Sequence, residues 1–300
     1  MKFLKHFALG LSSYWAALKF IFKERLYWYF PIPAALMLGI YFAGNKIVAW
    51  KSTWDDQIGC ATCVNMNATI WFVLKLLISI SVGLILMKFA KYIVVVLLSP
   101  LITHLSQKVE MTITGNTYPF SLAQTLHDVK RGLRIALRNI MWEYFFFLIL
   151  LIVSFFGWDK PENSPIFYLT FAIAFFYYGF SFLDYINERR RLDIDQSIFF
   201  VRNHRGLAIA IGMVFSLLIL VPVDIGQMFD YSNFSKAPWE TLGNSGLNVL
   251  LWIMASSAPI LAIVAATLAM HKLVDLNENK YSVKVPESEQ STEITENDPQ

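Results

Sequence analysis

The run "IWFVLKLLISISVGLILMKFAKYIVVVLLSPLITHL", residues 70 to 105, constrains this chain more than any other stretch. As one helix it would be roughly 50 Å long, against a hydrocarbon core of ~30 Å, so it must tilt strongly or project into the cytoplasm. Five further apolar segments lie at about 26–50, 140–157, 166–183, 207–223 and 246–270. Alternating strand-like patterns are missing, and about 20 apolar residues are what a crossing helix needs. Hydrophobic residues make up 56 % of the 300 and charged residues only 16 %, too few to cover a soluble surface. The expected fold class is an all-α, polytopic membrane protein.

Charge gives the orientation. Lys2, Lys5, Lys19, Lys23 and Arg25 precede the first segment, and Lys108, Lys130, Arg131, Arg134 and Arg138 lie between the second and third. Arg189, Arg190, Arg191, Arg202 and Arg205 lie between the fourth and fifth, and Lys272 follows the sixth. The alternate loops, 51–69, 158–165 and 224–245, are poor in Lys and Arg, which places both termini in the cytoplasm. Lys75 and Lys88 then mark the two interfaces of the long second segment. The N-terminal stretch lacks a cleavage site after an uninterrupted apolar core, so it is expected to be retained.

The segments are unequal. The third to fifth hold only about 17 or 18 residues each, Pro222 ends the fifth, and "SSAPI" at Pro259 interrupts the sixth. Length alone leaves two readings open: six spans with proline kinks, or short helices that enter the bilayer partway. Residues 3–22 read as an interfacial amphipathic helix, with Phe3, Leu4, Phe7, Leu11, Tyr14, Trp15, Leu18 and Ile21 or Phe22 near one face. Residues 119–139 form a second amphipathic stretch whose default role is phospholipid contact. Residues 1–275 read as one helical membrane domain, and 276–300 as a disordered acidic cytoplasmic tail.

Little points to catalysis. No nucleophile elbow, Walker loop, dinucleotide fingerprint or zincin helix is present, so no enzyme activity, cofactor or nucleic-acid partner is expected. His6, His104, His127, His204 and His271 fall near cytoplasmic helix ends and not at metal-ligand spacing. Cys60 and Cys63 lie in a loop expected to face outward, where a local disulfide is preferred over free thiols or a thiol-disulfide enzyme. No carboxylate sits at mid-depth in an apolar run, as a proton-coupled carrier would require; Glu143, Asp184 and Asp224 are all at boundaries.

The order of "YFPIPAALMLGIYF", "VVVLLSPLITHLSQKVEMTITG", "LHDVKRGLRIALRNIMWEY", "FLDYINERRR", "FFVRNHRGLAIAIGMVFSLLILVP" and "APILAIVAATL" resembles the CysZ family of bacterial sulfate permeases, over roughly residues 7 to 275. The resemblance implies an inner-membrane homo-oligomer with two long spanning helices and helical hairpins, here 140–183 and 207–270, that penetrate partway. It also implies uptake of sulfate or a related oxyanion without an ATPase. Family members share a Gly-Leu-Arg-Arg type motif just before the first spanning helix, where amides and arginine can hold an oxyanion. In "KERLYWYFP" Arg25 falls on the first arginine, while Lys23 replaces the glycine and Leu26 the second arginine.

The substrate-facing candidates are therefore Arg25, Arg189 and Arg202, supported by Asp184 and Tyr185. Asp184 has two readings. It can accept from Arg189 or Arg202 and fix a turn, or Arg189, Arg202 and Arg205 can form an electropositive vestibule. The first is preferred, because Asp184, Glu188, Asp193 and Asp195 neutralise much of the local field. A non-transporting membrane scaffold of the same fold is the rival function.

Overall fold

The computed structural model describes residues 2–58, 97–115, 122–158, 164–190 and 192–274, and all regular structure among them is helical. Most of the long second segment, Lys75, Lys88, Cys60, Cys63 and the acidic tail lie outside the described residues.

Helix α1 (Lys2–Lys23) leads through a 3-10 turn (Leu26–Tyr29) into α2 (Pro31–Ile58). The chain re-enters at α3 (Ser99–Thr114), which starts with Pro100 in its first turn and stops at Gly115, at φ 77°. Then come α4 (Leu122–Gly157), α5 (Leu169–Arg189), α6 (Ile194–Asn203), α7 (Arg205–Ile219), the short α8 (Ile225–Met228) and α9 (Pro238–Leu273). Among the described residues, four stretches are long and apolar enough to cross a membrane: Leu26–Lys46, Lys130–Gly157, Leu169–Glu188 and Pro238–Leu273. The pair α6 and α7 would qualify only together, and it bends by 90° at His204.

Two expectations change here. The amphipathic stretch 119–139 and the apolar segment 140–157 are not separate units, because α4 runs unbroken from Leu122 to Gly157. No glycine pair or proline interrupts it. Nor is the last segment broken at Pro259, which lies inside α9. Proline removes one backbone donor from the helix ladder. In the turn before it, the hydroxyls of Ser256 and Ser257 donate to the carbonyls of Ile253 and Met254. The carbonyl that loses its helical donor to Pro259 is that of Ala255, and the two serines bond the carbonyls just before it.

Helix α1 buries a mostly small-residue face that ends in Ile21, whose burial corrects its expected place on the lipid-facing side. Gly10, Ser13, Ala17 and Ile21 are buried against α7 and α9, whereas Phe3, Leu4, Leu11, Trp15 and Phe22 face outward. Small side chains let α1 sit close to the bundle, and the Tyr14 hydroxyl donates to the Ile211 carbonyl at 2.6 Å. The His6 and His204 rings stand 4.8 Å apart between centroids, joining α1 to the bend before α7.

The tightest crossing is between α5 and α7. A Cβ on Gly179 would collide with the Ala208 carbonyl, and one on Gly212 with the Phe175 carbonyl. Each helix thus offers a glycine where the other's backbone arrives, the close-approach device of membrane helix pairs. Phe182, Phe215 and Tyr178 fill the space around the crossing, with Phe182 and Phe215 in edge contact at 4.9 Å. The C-terminal half of α9, rich in alanine from Ala255 to Ala269, is buried behind them.

Candidate functional site

Helix α5 carries Asp184 and Glu188 one turn apart, so both carboxylates project from the same face. Helix α4 meets that face with Arg131. Its Nη2 lies 3.2 Å from Asp184 Oδ1 and its Nε 3.6 Å from Glu188 Oε1, while Nη1 donates to the Leu192 carbonyl at 2.7 Å. The fork geometry of a guanidinium suits three such partners, where a lysine would not. Ser197 of α6 donates to the same Asp184 Oδ1 at 2.6 Å, and Asn187 donates to Ser197 Oγ at 3.0 Å. Asp193 positions α6 by a capping box with Gln196, which delivers Ser197 to the cluster.

Polar side chains continue away from this cluster inside the protein. Asn139 donates to Ser181 Oγ at 3.3 Å between α4 and α5, and the Ser106 and Thr267 hydroxyls are 2.8 Å apart between α3 and α9. Glu110 and Glu143 are also buried. Beside Arg131 a cleft of about 490 Å³ opens, lined by Lys130, Arg131, Arg134, Asp193, Ile194 and Asp195. Three cations face two carboxylates there, and the Asp193 carboxylate is engaged by the Gln196 amide.

The residues singled out from sequence are scattered among different surroundings. Arg25 is exposed at the junction of α1 and the 3-10 turn, in a left-handed conformation at φ 56°. Its neighbours Lys23 and Glu24 pair with each other at 3.8 Å on the surface. Arg189 is the last residue of α5, and its side chain lies outside the described atoms. Arg202 is exposed in the last turn of α6 and lines a different cavity, with Arg205. Asp184 and Tyr185 are buried, and the Tyr185 hydroxyl lies against Gly132 of α4.

Among the described atoms Asp184 takes Arg131 and Ser197 as partners and not Arg202; Arg189, the other partner expected from sequence, has its side chain outside them. The reason is the antiparallel pairing of α4 and α5, which brings the start of one helix to the end of the other. Arg131, read from sequence as a phospholipid contact, is largely buried instead. The signal that identifies it is the i, i+4 pair Asp184 and Glu188, two buried acids on one face that require a cation. Among the described residues no group of three His, Cys, Asp or Glu side chains is arranged to hold a metal ion.

Residues 13–224 match the family described as Sulfate transporter CysZ/Etoposide-induced protein 2.4. The chain belongs to that family. A search among curated proteins finds no match. The CysZ-type match runs from the middle of α1 through α7, including Arg131, Asp184 and the α5–α7 crossing, and stops ahead of α9. Together with four helices apolar and long enough to span a bilayer, it makes this a polytopic membrane protein with a general transport role rather than an enzyme.

Proposed function

We propose that the protein carries sulfate or a related oxyanion across the cell inner membrane without an ATPase of its own, as a homo-oligomer with both termini in the cytoplasm. The observation that carries this reading is the cleft at Lys130, Arg131 and Arg134, which gathers three cations next to a buried polar belt. A cationic vestibule concentrates anions, and guanidinium groups bind tetrahedral oxyanions through paired N–H donors. Arg25 remains a candidate first contact, since the exposed turn preceding α2 leaves its side chain accessible. Arg189 leaves α5 one residue past Glu188 and is a candidate for the cytoplasmic side of the same region.

We further infer that α4 and α5 form a hairpin that enters only one leaflet. Helix α5 changes character near Tyr177: Leu169, Phe171 and Ala172 are exposed, while Tyr178 to Asn187 are buried. Arg138 of α4 lies over the Phe180 ring, 5.6 Å away, which marks a polar level at the same height. From Phe146 to Gly157 the hairpin is about 17 Å long, close to half of a ~30 Å core.

Radiolabelled sulfate uptake into proteoliposomes tests the transport reading. Saturable uptake, reduced in Lys130→Ala/Arg134→Ala and in Arg25→Ala, is the expected result. Flux equal to protein-free vesicles, with folded protein, removes sulfate as substrate. The rival reading, a non-transporting scaffold, draws on the pairing of Arg131 with two carboxylates, which already satisfies much of its charge. The same experiment separates the two.

A further inference from the structure

Where α4, α5 and α7 meet, a groove of about 430 Å³ runs along the outside of the bundle. Its walls are Phe146 and Leu150 of α4, Leu169 and Phe176 of α5, and Ile209 of α7. Arg202, Arg205 and Tyr177 supply the polar part of the lining, and no carboxylate is among the described lining residues.

Among the described residues no carboxylate forms an ion pair with Arg202 or Arg205. Arg205 Nε donates to the Arg202 carbonyl at 3.0 Å, which fixes its stem and leaves the terminal nitrogens available. Arg138 also stands close enough to Arg202 for the two cations to repel, while Tyr177, Asp184 and Asp195 act on Arg138 in the opposite direction. Its Nη1 is buried without a hydrogen-bond partner. An anion placed between these guanidinium groups relieves the repulsion and supplies acceptors.

The apolar part states what kind of anion. From Tyr177 to Leu169 the groove follows α5 for about 12 Å, comparable to the ~15 Å depth of one leaflet. A small inorganic anion would leave that length empty. A lipid presents a phosphate and a chain at this spacing.

We propose that the groove binds one anionic phospholipid of the surrounding leaflet, its phosphate held between Arg202 and Arg205 and one acyl chain laid along Leu150, Leu169 and Phe176. The lipid is a fixed part of the α4–α5–α7 junction, and its negative charge is selected over zwitterionic headgroups by the surplus of arginine. This assignment stands apart from the transport reading, and Arg202 serves the lipid and not the transported anion.

Native mass spectrometry of the purified protein titrated with phosphatidylglycerol or phosphatidylcholine tests it. The expected result is retention of one phosphatidylglycerol with roughly tenfold preference. That preference disappears in Arg202→Gln/Arg205→Gln, and Ala172→Trp, which fills the groove from an exposed position, weakens retention of both lipids. Equal retention of the two lipids by the wild type, or retention unchanged in both variants, overturns the proposal. A third arm adds millimolar glycerol phosphate: displacement of the lipid by this soluble headgroup would instead assign the arginines to a free anion. Sulfate flux, measured separately, plays no part in the readout.

Discussion

Arg131 of α4 reaches Asp184 of α5 at 3.2 Å and Glu188 at 3.6 Å, so one guanidinium holds two carboxylates a turn apart. Removing it takes the shared ion-pair partner away from both acids. Arg131→Ala is expected to destabilise the fold by about 3 kcal/mol or more, whereas Asp184→Asn, which keeps the shape and the Ser197 contact, costs less. Thermal unfolding in detergent measures both, and an Arg131→Ala protein that melts with the wild type contradicts the role assigned to the pair.

The cleft charges act on rate more than on stability. Lys130 and Arg134 are exposed, so Lys130→Glu and Arg134→Glu leave folding nearly unchanged while lowering oxyanion uptake several-fold. Asp195→Asn removes a repelling charge from the same cleft and raises uptake. All three effects shrink as salt is added, because the Debye length falls to ~3 Å at 1 M. Uptake rates at two ionic strengths decide the matter.

The helix crossing gives a steric prediction with an internal control. Gly212→Val drives a side chain into the Phe175 carbonyl and is expected to cost about 3 kcal/mol or more. Gly243, also helical, has nothing within 4 Å of the position a Cβ would take. Gly243→Ala should therefore stabilise α9 by about 0.5 kcal/mol or more through helix propensity alone. Opposite signs in the two melting curves are the test.

His6 carries the pH dependence. Burial, then the neighbouring His204, then Lys2 hold its imidazole below the ordinary histidine value. The unfolded chain consequently binds the proton more readily, so stability rises with pH across this range. The contribution is complete above about pH 6.5 and is lost as pH falls through the lower, folded value. Melting temperatures between pH 7.5 and 5 should drop for the wild type, and the drop should be smaller in His6→Gln. An identical profile in the variant would remove His6 from the account.

Much of this fold is written in local pattern. The extent of α1 follows from amphipathic spacing, which acts within a few residues, whereas the start of α3 at Ser99 falls inside a run expected to be one helix. The continuity of α4 was hidden because its polarity changes midway, from Lys130 and Arg138 to Phe145 and Leu148, while its backbone hydrogen bonding does not. Pro259 misled for the opposite reason, since proline removes one donor from the ladder while the bonds on either side of it carry α9 through. In the candidate site, Asp184 was visible at the foot of an apolar helix. Its partner was not, because the choice between Arg131 and Arg202 depends on which helices lie antiparallel, a property of packing that no short stretch encodes.

Helix α1 packs on α7 and α9, so the earliest helix of the described chain finds its seat only in two of the later ones. At usual translation speeds the interval between their emergence is roughly 10 to 40 s. Through that interval Gly10, Ser13 and Ala17 have nothing to nest against, while the outward row of Phe3, Leu4, Leu11 and Trp15 already has the lipid surface as a resting place. The division of α1 into a small-residue face and a bulky face thus acts as a timetable: the bulky side moors the nascent helix at the membrane, and the small side is kept for partners still to be synthesised.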